Sequence, residues 1–336
     1  MKILEINKYC IKSYLSKINF LLGRNPAIEK RADWRKFIPE PYNAVITITA
    51  DFELAWAWRY SKSSSAPHKL ALEKARKERE NIPNILDLCE KYNVPITWAA
   101  VGHLFLKECK RNETGKAHPD LPRIGKFENE FWRFSGNDWY EFDPCTNFKD
   151  APEWYCPDLI KMILNSKVKH EIGCHTFSHI DCRDEVCSTE VFNAEINVCK
   201  KEAKKYGVEL KSFVHPGHTI GNLDNLANAG LLSFQTDNTN TLGYPFKHKN
   251  GLWELKRTYE FAFRKDWSID YHIYRCKKII DRAIKNNSVC NFWFHPSFDE
   301  RFMDSILPEI FKHIQSKADR IYISTVSNYI DFIEKG

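Results

Sequence analysis

His175 and His179 stand four residues apart and directly follow the segment Glu171-Ile172-Gly173-Cys174. Imidazoles at that separation share one side of a helical turn, where both can reach a single metal at about 2.0–2.1 Å. A pair of hydrogen-bonding histidines is the plainer reading of the spacing. Position favours the metal, because the pair opens at the carboxyl end of a strand. Thr49, Asp51 and Glu53 alternate at the end of the apolar segment Ala44 to Ala50. Side chains two apart on a strand share a face, so both carboxylates enter one pocket if the extended backbone continues past Ala50. Close acids either bind a cation or divide the work, one as ligand and one as general base; acids that merely solvate a strand end are the alternative.

His295 ends the segment Phe292-Trp293-Phe294, and an imidazole among rings can be tuned toward neutral pH and serve as general acid. Trp293 beside it is a candidate substrate-binding ring. His215-Pro216-Gly217-His218 follows Val214 and reads as a turn, which places His215 and His218 as further substrate-binding candidates. Asp237, just past Phe234, is another carboxylate at the same strand ends, with local capping as its ordinary role.

Alternating strands and helices must position these groups. Short β-branched segments read as strands at Ala44 to Ala50, Val94 to Val101, Glu171 to Cys174, Lys211 to Val214, Leu231 to Phe234, Trp253 to Lys256, Val289 to Phe294 and Ile321 to Val326. Helical spacing reads from His68 to Tyr92, Asp158 to Ser166, Thr189 to Tyr206, Asn222 to Ala229, Ile269 to Asn286 and Leu307 to Gln315. Repeated β-α units imply an α/β fold with a parallel sheet, here a distorted (β/α) barrel of about seven strands whose chemistry lies at the strands' carboxyl ends. Residues 1–40 form an N-terminal helical extension packed on the domain, and residues 41–336 form the barrel. Residues 103–157, rich in Trp, Phe, Asp, Asn and Pro, interrupt the alternation as a long insertion and a candidate wall for a substrate cleft.

Bulk properties narrow the partners. The net charge of +6 is spread over 50 basic and 44 acidic residues, which is no nucleic-acid footprint. The eleven cysteines are odd in number and contain no Cys-x-x-Cys, so they fit reduced thiols and a cytoplasmic location better than a disulfide framework. The basic start with Lys2, Lys8, Lys12 and Lys17 lacks a signal-peptide core, and no transmembrane segment is expected. Peripheral contact of that start with a membrane surface is the lesser reading beside a helix packed on its own domain.

Thr49-Ala50-Asp51-Phe52-Glu53, the segment Glu171 to His179, Phe213 to Gly217 and Phe292 to His295 together resemble the polysaccharide deacetylase family, also called the NodB-homology domain or carbohydrate esterase family 4. The resemblance implies hydrolysis of an N-acetyl or related amide on a sugar with a divalent metal, zinc as the default and cobalt, nickel, manganese or iron as the other candidates. It implies Asp51 as catalytic base, His175 and His179 as metal ligands and His295 as general acid. Phe52 stands where the usual second acid would be, so Glu53 takes the ligand role in an Asp-x-Glu variant. The third motif normally carries an arginine that orients the base; Phe213 to Gly217 has none, and His215, His218 or an arginine from elsewhere would have to replace it. The implied substrates are an acetylated sugar, a nucleotide sugar or a lipid-linked glycan on the way to lipopolysaccharide or capsule. Two other readings remain: a hydrolase of a non-carbohydrate linear amide or ureide, and an inactive glycan-binding barrel.

Overall fold

Ala44–Phe52 (β1) buries all nine of its side chains, which requires cover on both faces. The computed structural model describes residues 2–136 and 138–335, and the side chains of all these except 2–10, 12, 135, 237 and 238. Seven further strands run parallel to β1: Thr97–Ala100 (β2), Glu171–Cys174 (β3), Ser212–Val214 (β4), Ser233–Asn238 (β5), Trp253–Arg257 (β6), Val289–Phe294 (β7) and Ile321–Ser324 (β8). Their order is β6-β5-β4-β3-β2-β1-β7. β8 shares the β2 edge of β1, pairing with residues 44–47 where β2 pairs with 49–52.

Closure comes from one continuous stretch of chain. β6 pairs with β5, and directly after Thr258 the residues Tyr259–Glu260 pair in parallel with Phe292 and Trp293 of β7. The sheet thus curls into the expected distorted barrel, and the carboxyl ends of β1, β2, β3, β4, β6 and β7 meet at one rim.

The helices form where apolar residues recur every three or four positions. Pro67–Tyr92 opens with proline in its first turn, where the missing N–H costs nothing, and stops at Asn93 in the left-handed region. Thr189–Lys204 and Ile269–Lys285 are each capped by a serine, Ser188 and Ser268, whose side chain accepts an N–H of the first turn. Such a cap contributes about 1 kcal/mol. Strand and helix limits follow the expected ones closely except at β5, expected over Leu231 to Phe234 and found at Ser233–Asn238, and at the end of the chain. There β8 stops at Ser324 and Val326 begins a helix, Val326–Lys335, that the sequence reading did not anticipate. Its Val326, Tyr329 and Ile330 join Val45, Val289, Leu255, Phe37 and Ile38 in a second apolar cluster.

At the other end of the chain, Lys2–Leu21 is a helix whose Phe20 meets the Tyr274 ring edge-on at 6.2 Å, with the Arg275 guanidinium 4.4 Å from the Phe20 centroid. Ile11, Tyr14 and Leu15 on the same helix are exposed. No helix among the described residues is long and apolar enough to cross a membrane.

The insertion holds a small hairpin, Lys126–Glu128 with Arg133–Ser135, and otherwise irregular chain. Phe127, Trp139, Tyr140, Trp154 and Tyr155 in it are all buried, so most of its rings are core rather than exposed cleft surface; Phe131, at 46% exposure, is the exception.

One half-buried histidine away from the rim gives the fold a pH dependence. His170 Nδ1 accepts the Ile96 N–H at 3.0 Å, and burial pushes its pKa from 6.5 down to about 4. The unfolded chain therefore binds more protons than the fold between these values, so the stabilisation is present above pH 6.5 and is lost as pH falls toward 4. Between pH 7 and pH 5 this group should withdraw about 2 kcal/mol of unfolding free energy. Urea denaturation at both values should show a correspondingly flatter dependence in His170→Gln; an unchanged dependence would refute the assignment.

Candidate active site

Glu53 lies one residue past β1, and its placement depends on the turn that follows. Leu54 adopts φ 48°, ψ −132°, an arrangement that a residue with a Cβ rarely takes and that costs roughly 1–3 kcal/mol. Glu78, on the helix Pro67–Tyr92, holds this turn. Its two carboxylate oxygens accept the N–H groups of Glu53 and Leu54, each at 3.1 Å. Burial, reinforced by the Glu53 charge, pushes the Glu78 carboxyl well above its ordinary value.

The His175 to His179 segment is not the helical turn its spacing suggests. Thr176 and His179 both have positive φ, 56° and 60°, which folds the chain into a tighter turn. The two rings nevertheless converge, with centroids 5.2 Å apart. A second buried acid holds this turn: Glu195 accepts the N–H groups of Phe177 and Ser178, each at 2.8 Å, and the Tyr140 hydroxyl also at 2.8 Å. Sequence reasoning missed both Glu78 and Glu195, since an acid on the buried face of an amphipathic helix was their only signal.

Glu53, His175 and His179 form one buried group. Glu53 Oε1 is 2.9 Å from His175 Nε2 and 3.2 Å from His179 Nε2. His175 Nδ1 lies 2.7 Å from the Val214 carbonyl, which can only accept, so the ring proton sits on Nδ1. Nε2 then offers a lone pair to a carboxylate oxygen, and a cation between them resolves that opposition. Glu53 Oε2 and both nitrogens of His179 are buried without hydrogen-bond partners. Burial pushes His179 down to about 4, which keeps its ring neutral. This donor set, with one histidine oriented through its far nitrogen, fits a divalent metal.

Asp51 shares the β1 face with Thr49 as the alternation predicts, and it is paired with Arg257. One guanidinium nitrogen, Nη2, stands 3.0 and 3.1 Å from the two Asp51 oxygens, and both side chains are buried. Arg257 Nε donates to Gln235 Oε1 at 3.0 Å, Gln235 Nε2 donates to Thr49 Oγ1 at 2.5 Å, and the guanidinium lies 4.2 Å from the Trp293 ring centroid. The sequence reading ended this strand one residue short of Arg257. The available signal was the alternation that buries Leu255 and Arg257 on one face of β6.

His295 approaches from β7, with Nε2 at 3.7 Å from Glu53 Oε2, and it is the most open of these groups at 25% exposure. Its ring faces Trp58 and Trp293 edge-on at 5.5 and 5.6 Å. His218 meets Trp293 at 5.5 Å and Phe131 at 6.1 Å. His215 is buried, its Nε2 set against the Gly221 carbonyl at 3.0 Å within its own turn. The turn fits tightly: Gly217 has φ 56°, and a Cβ there would stand 2.9 Å from the Phe127 ring and 3.0 Å from Trp132. The Asp237 side chain lies outside the described residues.

A curled parallel sheet with acids and histidines at one rim defines a deacetylase-type barrel, and the comparisons agree. Residues 73–229, just under half of the chain, match the family model described as polysaccharide deacetylase, and that match indicates a carbon-nitrogen hydrolase of the deacetylase type. The matched segment includes His175 and His179; Asp51, Glu53, Arg257 and His295 lie outside it. A Mycobacterium smegmatis structure assigned to the polysaccharide deacetylases aligns at TM-score 0.62 and 14% identity, over 89% of this chain and 92% of the other. One from Pseudomonas aeruginosa PAO1 aligns at TM-score 0.61 and 11% identity, over 89% and 94%. PuuE allantoinase aligns at TM-score 0.59 and 11% identity, over 89% and 93%. No curated protein matches the chain in sequence.

Proposed function

We propose that the protein is a metal-dependent hydrolase that removes an N-acetyl group from a sugar of a surface-polysaccharide precursor, carried as a nucleotide sugar or lipid-linked glycan. The observation that carries this reading is the buried group of Glu53, His175 and His179 beside an arginine-paired Asp51 and an accessible His295. Glu53, His175 and His179 would hold the ion, with zinc the default for such a donor set. A divalent cation, when bound, supplies polarisation of the scissile carbonyl and activation of water.

The chain's own residues do the rest. Asp51 takes a proton from the attacking water, and Arg257, bonded to both of its oxygens, holds that carboxylate aimed. His295 gives a proton to the leaving amine from the open side of the rim. Trp58, Phe131 and His218 present rings to the sugar at the same opening. The ten cysteines with described side chains are free thiols, which supports a reducing compartment and hence a precursor rather than an exported polymer.

Acetate release from N-acetylated nucleotide sugars and lipid-linked oligosaccharides tests the reading. Ammonia release from a linear ureide, with no acetate from any sugar, would overturn it and favour the non-carbohydrate alternative suggested by the allantoinase fold. His175→Ala should remove the metal of this site from purified protein; elemental analysis that finds the metal content unchanged would reject the ligand assignment.

A further inference from the structure

A second convergence of ligand-type side chains lies within the insertion. His103, Cys109, His118 and Asp143 each direct one donor atom into a common space, all within 4.8 Å of one another. His103 follows β2 in the turn Gly102–Phe105, while Cys109, His118 and Asp143 come from irregular chain. His103 and Asp143 are fully buried, and His118 is 13% exposed.

Hydrogen bonds outside the group decide which atoms face inward. His103 Nδ1 lies 3.2 Å from the Trp154 carbonyl, so the ring proton is there and Nε2 carries the lone pair. Asp143 Oδ1 accepts the Tyr155 hydroxyl at 3.0 Å and the Cys145 N–H at 2.9 Å. That leaves Oδ2, which sits 3.0 Å from His103 Nε2 and 2.9 Å from His118 Nε2. The His103 lone pair therefore points at a carboxylate oxygen, and a cation between them resolves that opposition. One dication satisfies every donor at once. Cys109 Sγ completes the group at 3.5 Å from Oδ2 and 3.9 Å from His103 Nε2. These separations bracket the roughly 3.3–3.8 Å edges of a tetrahedron built with zinc bonds of about 2.0–2.3 Å.

We propose that His103 Nε2, Cys109 Sγ, His118 Nε2 and Asp143 Oδ2 bind a structural zinc ion that fastens the insertion to the barrel. On binding, the Cys109 thiol gives its proton to solvent and coordinates as thiolate. With all four positions filled by protein the site is closed, as structural zinc sites are. It also backs the rim: the Gly102 and His103 N–H groups donate to the Thr176 and Phe177 carbonyls at 2.8 and 2.9 Å, and the Phe177 ring lies 5.4 Å from His103 and 5.3 Å from His118. The ion therefore stiffens the turn that carries His175 and His179.

Cobalt substitution of the full chain reads this site separately, because only it offers sulfur. Cobalt-loaded protein should show a sulfur-to-metal charge-transfer band in the near ultraviolet. That band should vanish in Cys109→Ser, with loss of about one metal equivalent, and persist in both Cys145→Ser and His175→Ala. If Cys109→Ser does not fold, X-ray absorption of the wild-type zinc protein should still show sulfur at about 2.3 Å. A folded wild type with neither band nor sulfur scattering overturns the proposal, as does a band that survives Cys109→Ser.

Discussion

Asp51→Asn should lower kcat by about 10²–10⁴-fold while the protein keeps its metal. The amide has nearly the carboxylate's shape but cannot accept the water's proton, so the chemical step fails, and the buried Arg257 left without its counter-charge lowers stability as well. The Glu53, His175 and His179 group is left intact, since none of its contacts involves the Asp51 side chain. Steady-state kinetics on an acetylated sugar, with metal content measured on the same sample, checks both halves. Full turnover in this variant would remove Asp51 from the mechanism and return the base to Glu53 or His295.

Arg257→Met should produce the second large effect, on stability and rate together. It strands the Asp51 carboxylate in a buried position, and breaking a buried pair in this way costs about 3–5 kcal/mol. It also frees Gln235 and the Trp293 face, so Asp51 loses its aim and kcat should fall far more than KM rises. Arg257→Lys should recover part of the stability but little of kcat, because an ammonium restores charge without the guanidinium's fixed plane. The double variant Asp51→Asn, Arg257→Met should lose less unfolding free energy than the two single losses added together, since the stranded charge is gone. Strict additivity in urea denaturation would show that the pair is not coupled.

Local pattern determined much of this protein. The period of each apolar segment set the strands and helices, because side-chain direction repeats every two residues in one and every 3.6 in the other. The acids at Asp51 and Glu53 and the histidines at His175, His179 and His295 stood out because each follows such a strand directly. Their meeting at one rim followed from parallel order, which puts every carboxyl end on the same side.

Only the tertiary structure decided the rest, and in each case the partner is distant along the chain. Asp51 meets Arg257 because Thr258 carries the chain across to β7 and closes the barrel, an event no local period encodes. Glu78 and Glu195 hold the two turns from helices that sequence shows only as amphipathic. The helical turn expected at His175 gave way to positive φ at Thr176 and His179, since Glu195 and the neighbouring backbone hold a tighter path than spacing alone would choose. The rings of the insertion, read from composition as cleft surface, are mostly core. Composition reports how much apolar area a segment carries, while the packing of the whole chain decides which of it meets water.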